Sequence, residues 1–431
     1  MLRQGRATLH RERSVTTTPP QVRSSRPPLL PALRVPNYRR FLAGNGIHFL
    51  ARIMDSTIMA WIVIGFTDSP FLVALVMVAR MAPMAFAGPF AGIMSDRVNR
   101  ATVMRVARTV MIINYLAMAA LLATDVLVLW HLYAVIVVGG TAWTFDMAAR
   151  RAMTPDLVDS PSLANAIALD VMVFTFMLML GPIVAGAVQP YISSAGIFAL
   201  LALFVAASLV IIQGVDADVE PTRRPTANFL SLLADGFTFV RAHPPIAGAL
   251  LVAAASEGFA FSFIPLVPIF ATDVLDVSAT KLGILFSAEG VGAISASLAV
   301  AVMSQRNSNY GRLMLLGSGG AMLTGFALAF SPWYGLTFAL LVVLGAMGSL
   351  FFMMQSNLIF SITPKESRGR IVGMQMLVIG MFPVGSLFVG ILASVFTPQI
   401  AVVTMSAIGA VFLITVALAF PVLLQGGSKT D

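Results

Sequence analysis

The sequence predicts an all-α integral membrane protein with twelve transmembrane helices. Only 11% of its 431 residues are charged, whereas a soluble domain has about 25%. Apolar residues make up 58%, and a soluble globule cannot carry so much apolar surface with so few charges. Twelve continuously apolar stretches each reach the roughly 20 residues that cross a bilayer as a helix. They lie at residues 41–66, 70–95, 102–124, 127–149, 163–188, 195–214, 246–272, 279–303, 312–331, 333–361, 371–396 and 399–424.

The distribution of basic residues predicts the orientation of these spans. If the N-terminus lies in the cytoplasm, cytoplasmic segments hold 24 of the 27 Lys and Arg residues and the outer loops hold only Lys281. Arg52 and Arg80 lie inside spans. Cytoplasmic loops of membrane proteins carry an excess of Lys and Arg. We therefore expect both termini on the cytoplasmic side (N-in/C-in) of a multi-pass protein of the bacterial inner membrane.

The formal net charge of +8 belongs to the N-terminal tail rather than to the whole chain. Residues 1–40 contain nine Arg and one Glu, and the rest of the chain is formally neutral. We therefore expect no nucleic-acid partner, although a basic composition often indicates one. The tail is expected to be a disordered cytoplasmic extension that touches anionic lipid. An organelle-targeting peptide is the alternative.

The chain divides into two similar bundles. MSDR at 94–97 matches MSQR at 303–306, and Thr-Pro at 154–155 matches Thr-Pro at 363–364, both offset by 209 residues. Both matches fall at inner ends of corresponding spans, which indicates two parallel six-helix repeats. The predicted organisation is a tail at 1–40, a bundle at 41–214, a cytoplasmic linker with an amphipathic helix at 215–245, a bundle at 246–424 and a tail at 425–431.

Two motifs resemble those of the major facilitator superfamily. GIMSDRVNR at 92–100 resembles the G-x-x-x-D-R-x-x-R signature between spans 2 and 3, with Asn99 where Gly is usual. LGPIVAG at 180–186 resembles the G-P-x-x-G-G antiporter motif, with Ala185 in place of a Gly. The resemblance implies the major facilitator fold of twelve helices in two six-helix pseudo-repeats.

Shorter stretches resemble the enterobactin-exporter-like branch of that superfamily, whose members export siderophores or drugs. Two positions depart from the branch: Met54 stands where Gly is usual and Ala148 where Pro is usual. The matching stretches are 37–42, 67–70, 145–146 with Arg150, 155–158, 163–169 and 368–370.

The resemblance implies an inner gate at the cytoplasmic ends of spans 2 to 4. Asp96 would latch this gate against span 11. Arg97 and Arg100 would pair with carboxylates near the inner end of span 4, of which Asp146 is the nearest. The simpler alternative is that these arginines only obey the positive-inside rule. The predicted gate residues are Gly92, Asp96, Arg97, Arg100, Asp146 and Arg150.

Helix bending is expected where proline removes a backbone hydrogen bond and glycine permits close helix contact. Bending of this kind would support alternating access, and ordinary packing of small residues is the alternative. The residues concerned are Gly181, Pro182, Gly186 and Pro383.

Ionisable residues inside the spans point to a central cavity. A charge at the bilayer centre costs at least about 2.5 kcal/mol, so it is expected to face water or a partner. Arg52 and Asp55 share one face of span 1. They either take part in proton binding in the cavity or form a static pair within the helix that neutralises itself. His48 is a further candidate for proton binding and Asp170 for the cavity, and for each of them a structural hydrogen bond is the alternative. The predicted cavity residues are Arg52, Asp55, Arg80, Asp170, Glu257 and Glu289.

Asp55, Glu257 and Glu289 are the leading candidates for proton carriage. Glu257 and Glu289 have no basic residue nearby on their own spans. An unpaired carboxylate in a low-dielectric cavity suits proton binding. Pairing of the two glutamates with Arg52 and Arg80 across the halves is the alternative.

These features predict a secondary active transporter that exports a siderophore-like compound or a lipophilic drug by proton antiport. The proton gradient would supply the energy without a cofactor, because the sequence contains no G-x-x-x-x-G-K-[ST] loop. We expect neither an enzyme nor a metal site, since the chain has no Cys and its four His form no H-E-x-x-H cluster. We expect a monomer whose partners are the substrate and the lipid bilayer. A lipid or lysolipid flippase and a non-transporting membrane receptor are the alternatives.

The substitution Asp96→Asn tests the proposed gate. It removes the charge of the latch and keeps its shape, so transport should fall while the amount of protein in the membrane stays unchanged. Flux into vesicles and immunoblotting of the membrane fraction measure the two quantities. Normal flux by this variant would remove Asp96 from the gate.

Overall fold

The computed structural model describes residues 30–215, 229–303, 309–364 and 368–425, and these residues form helices and short connections without strands. The first half consists of six long helices separated by turns, several of which begin with proline in the first turn. They are α1 (Pro36–Phe66), α2 (Pro70–Arg97), α3 (Arg100–Ala123), α4 (Leu129–Leu157), α5 (Ser160–Val188) and α6 (Ser194–Gln213).

The second half has more helices because two of its predicted spans are interrupted. A short α7 (Phe229–Ala242) occupies the predicted amphipathic linker and packs on α13. The other helices are α8 (Pro244–Ala255), α9 (Val267–Asp273), α10 (Ala279–Met303), α11 (Tyr310–Leu328), α12 (Tyr334–Ile362), α13 (Arg368–Ile379), α14 (Met381–Val395) and α15 (Pro398–Ala419).

Eleven helical segments in the described part of the chain are long and apolar enough to cross a membrane. The predicted span at 312–331 corresponds to α11, which is 19 residues long and falls outside this set. Five glycines and Arg312 lower the hydropathy of that helix. Multi-pass membrane insertion therefore follows from the structure, whereas twelve spans with both termini inside remain a prediction.

The seventh predicted span, expected to be continuous over 246–272, is broken. The residues Ser256–Ala260 form a turn of π-helix after α8, and Ile264–Leu266 form a 3₁₀ turn before α9. Pro265 and Pro268 lack the backbone N–H that a continuous α-helix needs. π-turns of this kind are frequent at functional sites.

The bending predicted at Pro383 takes the form of a break at Gly380, between α13 and α14. Pro383 itself lies in the first turn of α14, where a proline is tolerated. In the first half, α5 continues as one helix through Pro182.

The two halves meet through α5 against α10 and through α2 against α14. On the far sides, α3 packs on α6 and α11 packs on α12 and α15. This arrangement leaves α1, α2, α5, α9 and α10 around the middle of the molecule.

Glycine contacts hold α5 against α10. Thr280 Oγ1 donates a hydrogen bond of 2.7 Å to the carbonyl oxygen of Gly186. A Cβ atom added at Gly290 would lie 2.7 Å from Cα of Met179, and one at Gly283 would collide with the carbonyl oxygen of Pro182. The two backbones approach as closely as glycine allows. We call this contact the α5–α10 seam.

The contacts between the halves gather toward one end of the molecule. The seam lies where α5 ends and α10 begins, and Gly390 of α14 packs on Ala74 and Phe71 near the start of α2. The structure is therefore closed at the end where α2 begins.

Alanine in place of Gly283 tests the seam. Alanine favours a helix by about 0.5–1 kcal/mol over glycine, but here its Cβ would collide with a backbone carbonyl, and overpacking costs about 1–3 kcal/mol. We expect Gly283→Ala to lower the thermal unfolding temperature in detergent micelles.

Gly65→Ala is the matched control, because a Cβ at Gly65 meets nothing within 4 Å. This control should keep or raise the unfolding temperature. Equal shifts for the two variants would contradict the close approach of α5 and α10.

Candidate functional site

A cavity of about 170 Å3 lies between the halves. Helices α1, α2 and α5 form one wall, and the 3₁₀ turn, α9 and α10 form the other. Most of the lining is apolar, and the polar exceptions are Ser56, Thr57, Arg80 and Glu289. The apolar lining residues are Ile53, Ala60, Val63, Val73, Val76, Met77, Leu178, Pro182, Ile264, Pro265, Pro268 and Phe286.

Arg52, Asp55 and Arg80 form one cluster beside the cavity. Oδ2 of Asp55 accepts from Nη1 of Arg52 at 3.0 Å and from Nη1 of Arg80 at 2.9 Å. The guanidinium carbon of Arg52 also lies 5.4 Å from the ring centroid of Trp143, in cation–π contact. Two guanidiniums thus share one carboxylate oxygen, and the cluster carries one surplus positive charge.

Glu289 and Glu257 differ in position. Glu289, on α10, lines the cavity. Glu257, in the π-turn, is 6% exposed and is not part of the lining. Neither glutamate forms an ion pair with another described residue, and the alternative of pairing with Arg52 and Arg80 is wrong because Asp55 holds both arginines.

Asp146 lies in a buried network inside the first half, away from the predicted gate pairs. Its Oδ1 accepts from Nε of Arg108 at 2.8 Å. Arg108 also donates to Asn45 Oδ1 at 2.7 Å and to the hydroxyl of Ser208. All four side chains are fully buried and come from α1, α3, α4 and α6. The expected partnership of Asp146 with Arg97 or Arg100 is therefore wrong.

His48 lies next to this network. Its Nε2 is 3.6 Å from Oδ2 of Asp146, which is too long for a hydrogen bond. The imidazole ring stacks on Trp143 with a centroid distance of 5.7 Å. His48 is fully buried, and the ring of Trp143 contacts both His48 and Arg52.

Of the two arginines expected to pair with carboxylates near the end of span 4, Arg100 does so, with Asp156 in place of Asp146. Arg100 forms an ion pair with Asp156 and donates to the carbonyl oxygen of Ala152 at 3.1 Å, so it ties the start of α3 to the end of α4. Arg97 is exposed. The surroundings of Gly92 and the side chain of Asp96 lie outside the described part of the structure, so the latch stays a prediction.

Asp170 was expected in the cavity, but it forms an ion pair with Arg150. The Arg150 guanidinium carbon lies 4.7 Å from the ring centroid of Phe49. The pair joins α4 to α5. Asp170 is not part of the cavity lining.

The residues predicted to bend helices lie in contacts between helices. Gly181 packs on Ile53, Pro182 lines the cavity, and Gly186 belongs to the α5–α10 seam. Gly181 thus makes room for a side chain of α1, and Gly186 allows a backbone contact with α10.

The predictions missed Arg108, Asn45 and Ser208. Arg108 is one of the 24 basic residues that the sequence assigned to cytoplasmic segments, and no partner was predicted for it. A signal for Asn45 existed, because Asn45, His48, Arg52 and Asp55 follow one another at spacings of three and four residues on α1. A polar stripe with that spacing marks one helix face buried against neighbours.

The family model described as transmembrane secretion effector matches residues 29–430. The chain belongs to this family of major facilitator transporters. The family assignment confirms the resemblance drawn from the motifs at 92–100 and 180–186. It makes the protein a transporter by family.

A curated relative is similar over part of the chain. The enterobactin exporter EntS of Shigella flexneri is 25% identical over 291 residues, which cover 66% of this chain and 67% of that protein.

Solved structures share the fold at low identity. A bacterial homologue of the human lysosomal transporter Spinster, inward-facing and unoccupied, has a TM-score of 0.71 at 14% identity and covers 91% of this chain and 98% of its own. A variant of the nucleoside transporter NupG has a TM-score of 0.68 at 15% identity, with 90% and 100% covered. Likeness at this level shows the major facilitator fold alone.

Removal of the Asp146 carboxylate tests the buried network. Asp146→Asn leaves Arg108 buried without its counter-charge, and breaking such a pair costs about 3–5 kcal/mol. We expect a lower free energy of unfolding in mixed micelles.

Asp159→Asn removes an exposed carboxylate and should change the free energy of unfolding by less than about 1 kcal/mol. The double variant Arg108→Gln with Asp146→Asn should lose less than the sum of its single variants, because no charge is left unpaired. Additive losses would show that the two side chains do not interact.

Proposed function

We propose that this protein is a proton-coupled exporter of a small organic molecule, siderophore-like or a lipophilic drug, in the bacterial inner membrane. The observation that carries the proposal is Glu289, a carboxylate without an ion-pair partner among the described residues, in a cavity between the halves of a major facilitator transporter. A charged group at that depth needs water, a proton or a ligand.

Glu289 is the proton carrier in this proposal. Protonation neutralises the side chain in its apolar surroundings, and a ligand that needs the carboxylate competes with the proton. Competition of this kind couples inward proton flow to outward movement of the substrate. Asp55 has a different role, because two guanidiniums already engage its Oδ2. The proton gradient is the energy source and no cofactor takes part.

Alternating access is the transport mode of this proposal, and the contacts that close the halves at one end support it. With both termini in the cytoplasm, the end closed by the α5–α10 seam faces outward and the other end of α2 faces the cytoplasm. This conformation loads substrate from the cytoplasm. Release requires the seam to open and the predicted gate around Asp96 to close. Such rocking of two bundles about a central site is the usual behaviour of repeat-based transporters.

The substitution Glu289→Gln tests the proton carrier. Glutamine keeps the shape and cannot bind the proton, so gradient-driven accumulation of a catecholate siderophore or a lipophilic dye in acid-loaded inside-out vesicles should fall at least about 10-fold. Exchange of labelled for unlabelled probe, which needs no net proton movement, should persist.

Asp125→Asn is the matched control, since Asp125 is an exposed carboxylate at positive φ, a conformation that asparagine also adopts. This control should transport normally. Undiminished gradient-driven accumulation by Glu289→Gln would remove Glu289 as the carrier. Accumulation of labelled lysolipid alone would favour the flippase, and binding without flux would favour a receptor.

A further inference from the structure

We propose that the cavity takes a zwitterion with an apolar body, its acidic group at Arg80 and its protonated amine at Glu289. This inference rests on the proposed function in one respect, that the cavity is the substrate site. The geometry that suggests it is a guanidinium and a carboxylate on opposite walls of one cavity, without an ion pair between them.

Arg80 is equipped to bind an anion. Among the described residues, its side chain donates one hydrogen bond, from Nη1 to Asp55. A guanidinium has five N–H donors in a planar fork that matches a carboxylate or phosphate. Asp55 is already shared with Arg52, so the cluster keeps one surplus positive charge. An acidic group of the ligand at Arg80 neutralises that charge.

Glu289 supplies the opposite charge. The residues of α5 that line the cavity with it are apolar, Leu178 and Pro182. On its own half, Gly345 of α12 packs against its backbone, and the prolines of the 3₁₀ turn and α9 complete the wall. Among the lining residues, Arg80 is the other charged side chain, and Arg80 is bound to Asp55, which also binds Arg52. Glu289 is therefore the acidic group of the lining to which an ammonium group of the ligand can bind.

The walls between the two charges are apolar and the cavity is small. Ile53, Met77 and Phe286 lie among the lining residues, and the volume is about 170 Å3. A dry cavity of about 150 Å3 holds one benzene ring, so the apolar body is of that size. A ligand with only an amine leaves the positive charge of Arg80 without a counter-charge. A ligand with only an acid places a second negative charge in the cavity with the Glu289 carboxylate. Each is disfavoured relative to the zwitterion.

Three matched probes test this assignment. They are para-aminomethylbenzoate, para-methylbenzylamine and para-toluate, which share one ring and carry both charges, the amine alone or the acid alone. Binding is measured by calorimetry on the full-length protein in nanodiscs, and proton release is followed with an indicator dye in weak buffer. We expect the zwitterion to bind at least about 10-fold more tightly than either analogue, since each lost ion pair removes a charge-assisted hydrogen bond. Its ammonium group should displace protons from Glu289.

Two variants assign the ends of the ligand. Arg80→Gln should abolish the preference for the zwitterion over the amine and keep its preference over the acid. Glu289→Gln should do the reverse and end proton release on binding. Asp125→Asn, which removes an exposed carboxylate outside the cavity lining, should leave the ranking of the three probes intact. Arg80→Lys keeps the charge, and its partial retention of the preference would show that the loss in Arg80→Gln is not misfolding.

A further experiment distinguishes a lipid headgroup from a free small molecule as the zwitterion that binds. A short-chain phosphocholine amphiphile that displaces para-aminomethylbenzoate identifies a lipid headgroup, and failure to displace it identifies a free small molecule.

Equal binding of the zwitterion and the amine, or equal effects of both charge variants on all three probes, would overturn the inference. Gradient-driven flux of a siderophore or dye that persists in that case would leave the proposed function standing. Absence of gradient-driven flux in the unsubstituted protein would overturn the proposed function itself.

Discussion

The backbone contact between α5 and α10 is the constraint on which the rest of the structure depends. Glycines at the seam let the two helices approach until peptide groups touch, and Pro182 belongs to both the seam and the cavity wall. The seam therefore determines how far the wall that holds Arg80 stands from the wall that holds Glu289. Because the contact is made by backbone and not by interlocked large side chains, the halves can separate without exposing a broad apolar surface.

Charges are organised differently in the two halves. In the described part of the first half, Asp55, Asp146, Asp156 and Asp170 each have an arginine partner. In the described part of the second half, the membrane-embedded carboxylates Glu257 and Glu289 form no ion pair. Paired charges stabilise one arrangement of helices, whereas unpaired carboxylates respond to protons and ligands. Among the described residues, the first half thus holds the ion pairs between helices, and the second half holds the membrane-embedded carboxylates without ion pairs.

Much of the architecture follows from the sequence because the bilayer imposes simple rules. Continuous apolar length identifies the spans. The failures have specific physical causes. The break of the seventh span at Ser256–Ala260 depends on a switch from α to π hydrogen bonding, which leaves no trace in hydropathy.

The sequence alone also could not predict which side chains of different helices pair with one another. Asp146 binds Arg108, 38 positions away, because helices α3 and α4 pack in one particular register. The resemblance of residues 92–100 to the superfamily motif had favoured Arg97 and Arg100. The pair Arg52 and Asp55 was recognised because both residues lie on one helix, but the contribution of Arg80 from α2 needed the packing of two helices.

The shared oxygen of Asp55 also has a consequence for how this cluster can change during evolution. Loss of either arginine leaves a neutral pair, since the other arginine remains bound to the carboxylate. Loss of Asp55 first leaves two neighbouring cations inside the membrane with no counter-charge. A lineage that loses the cluster one residue at a time therefore meets a smaller cost if an arginine goes first than if the aspartate goes first.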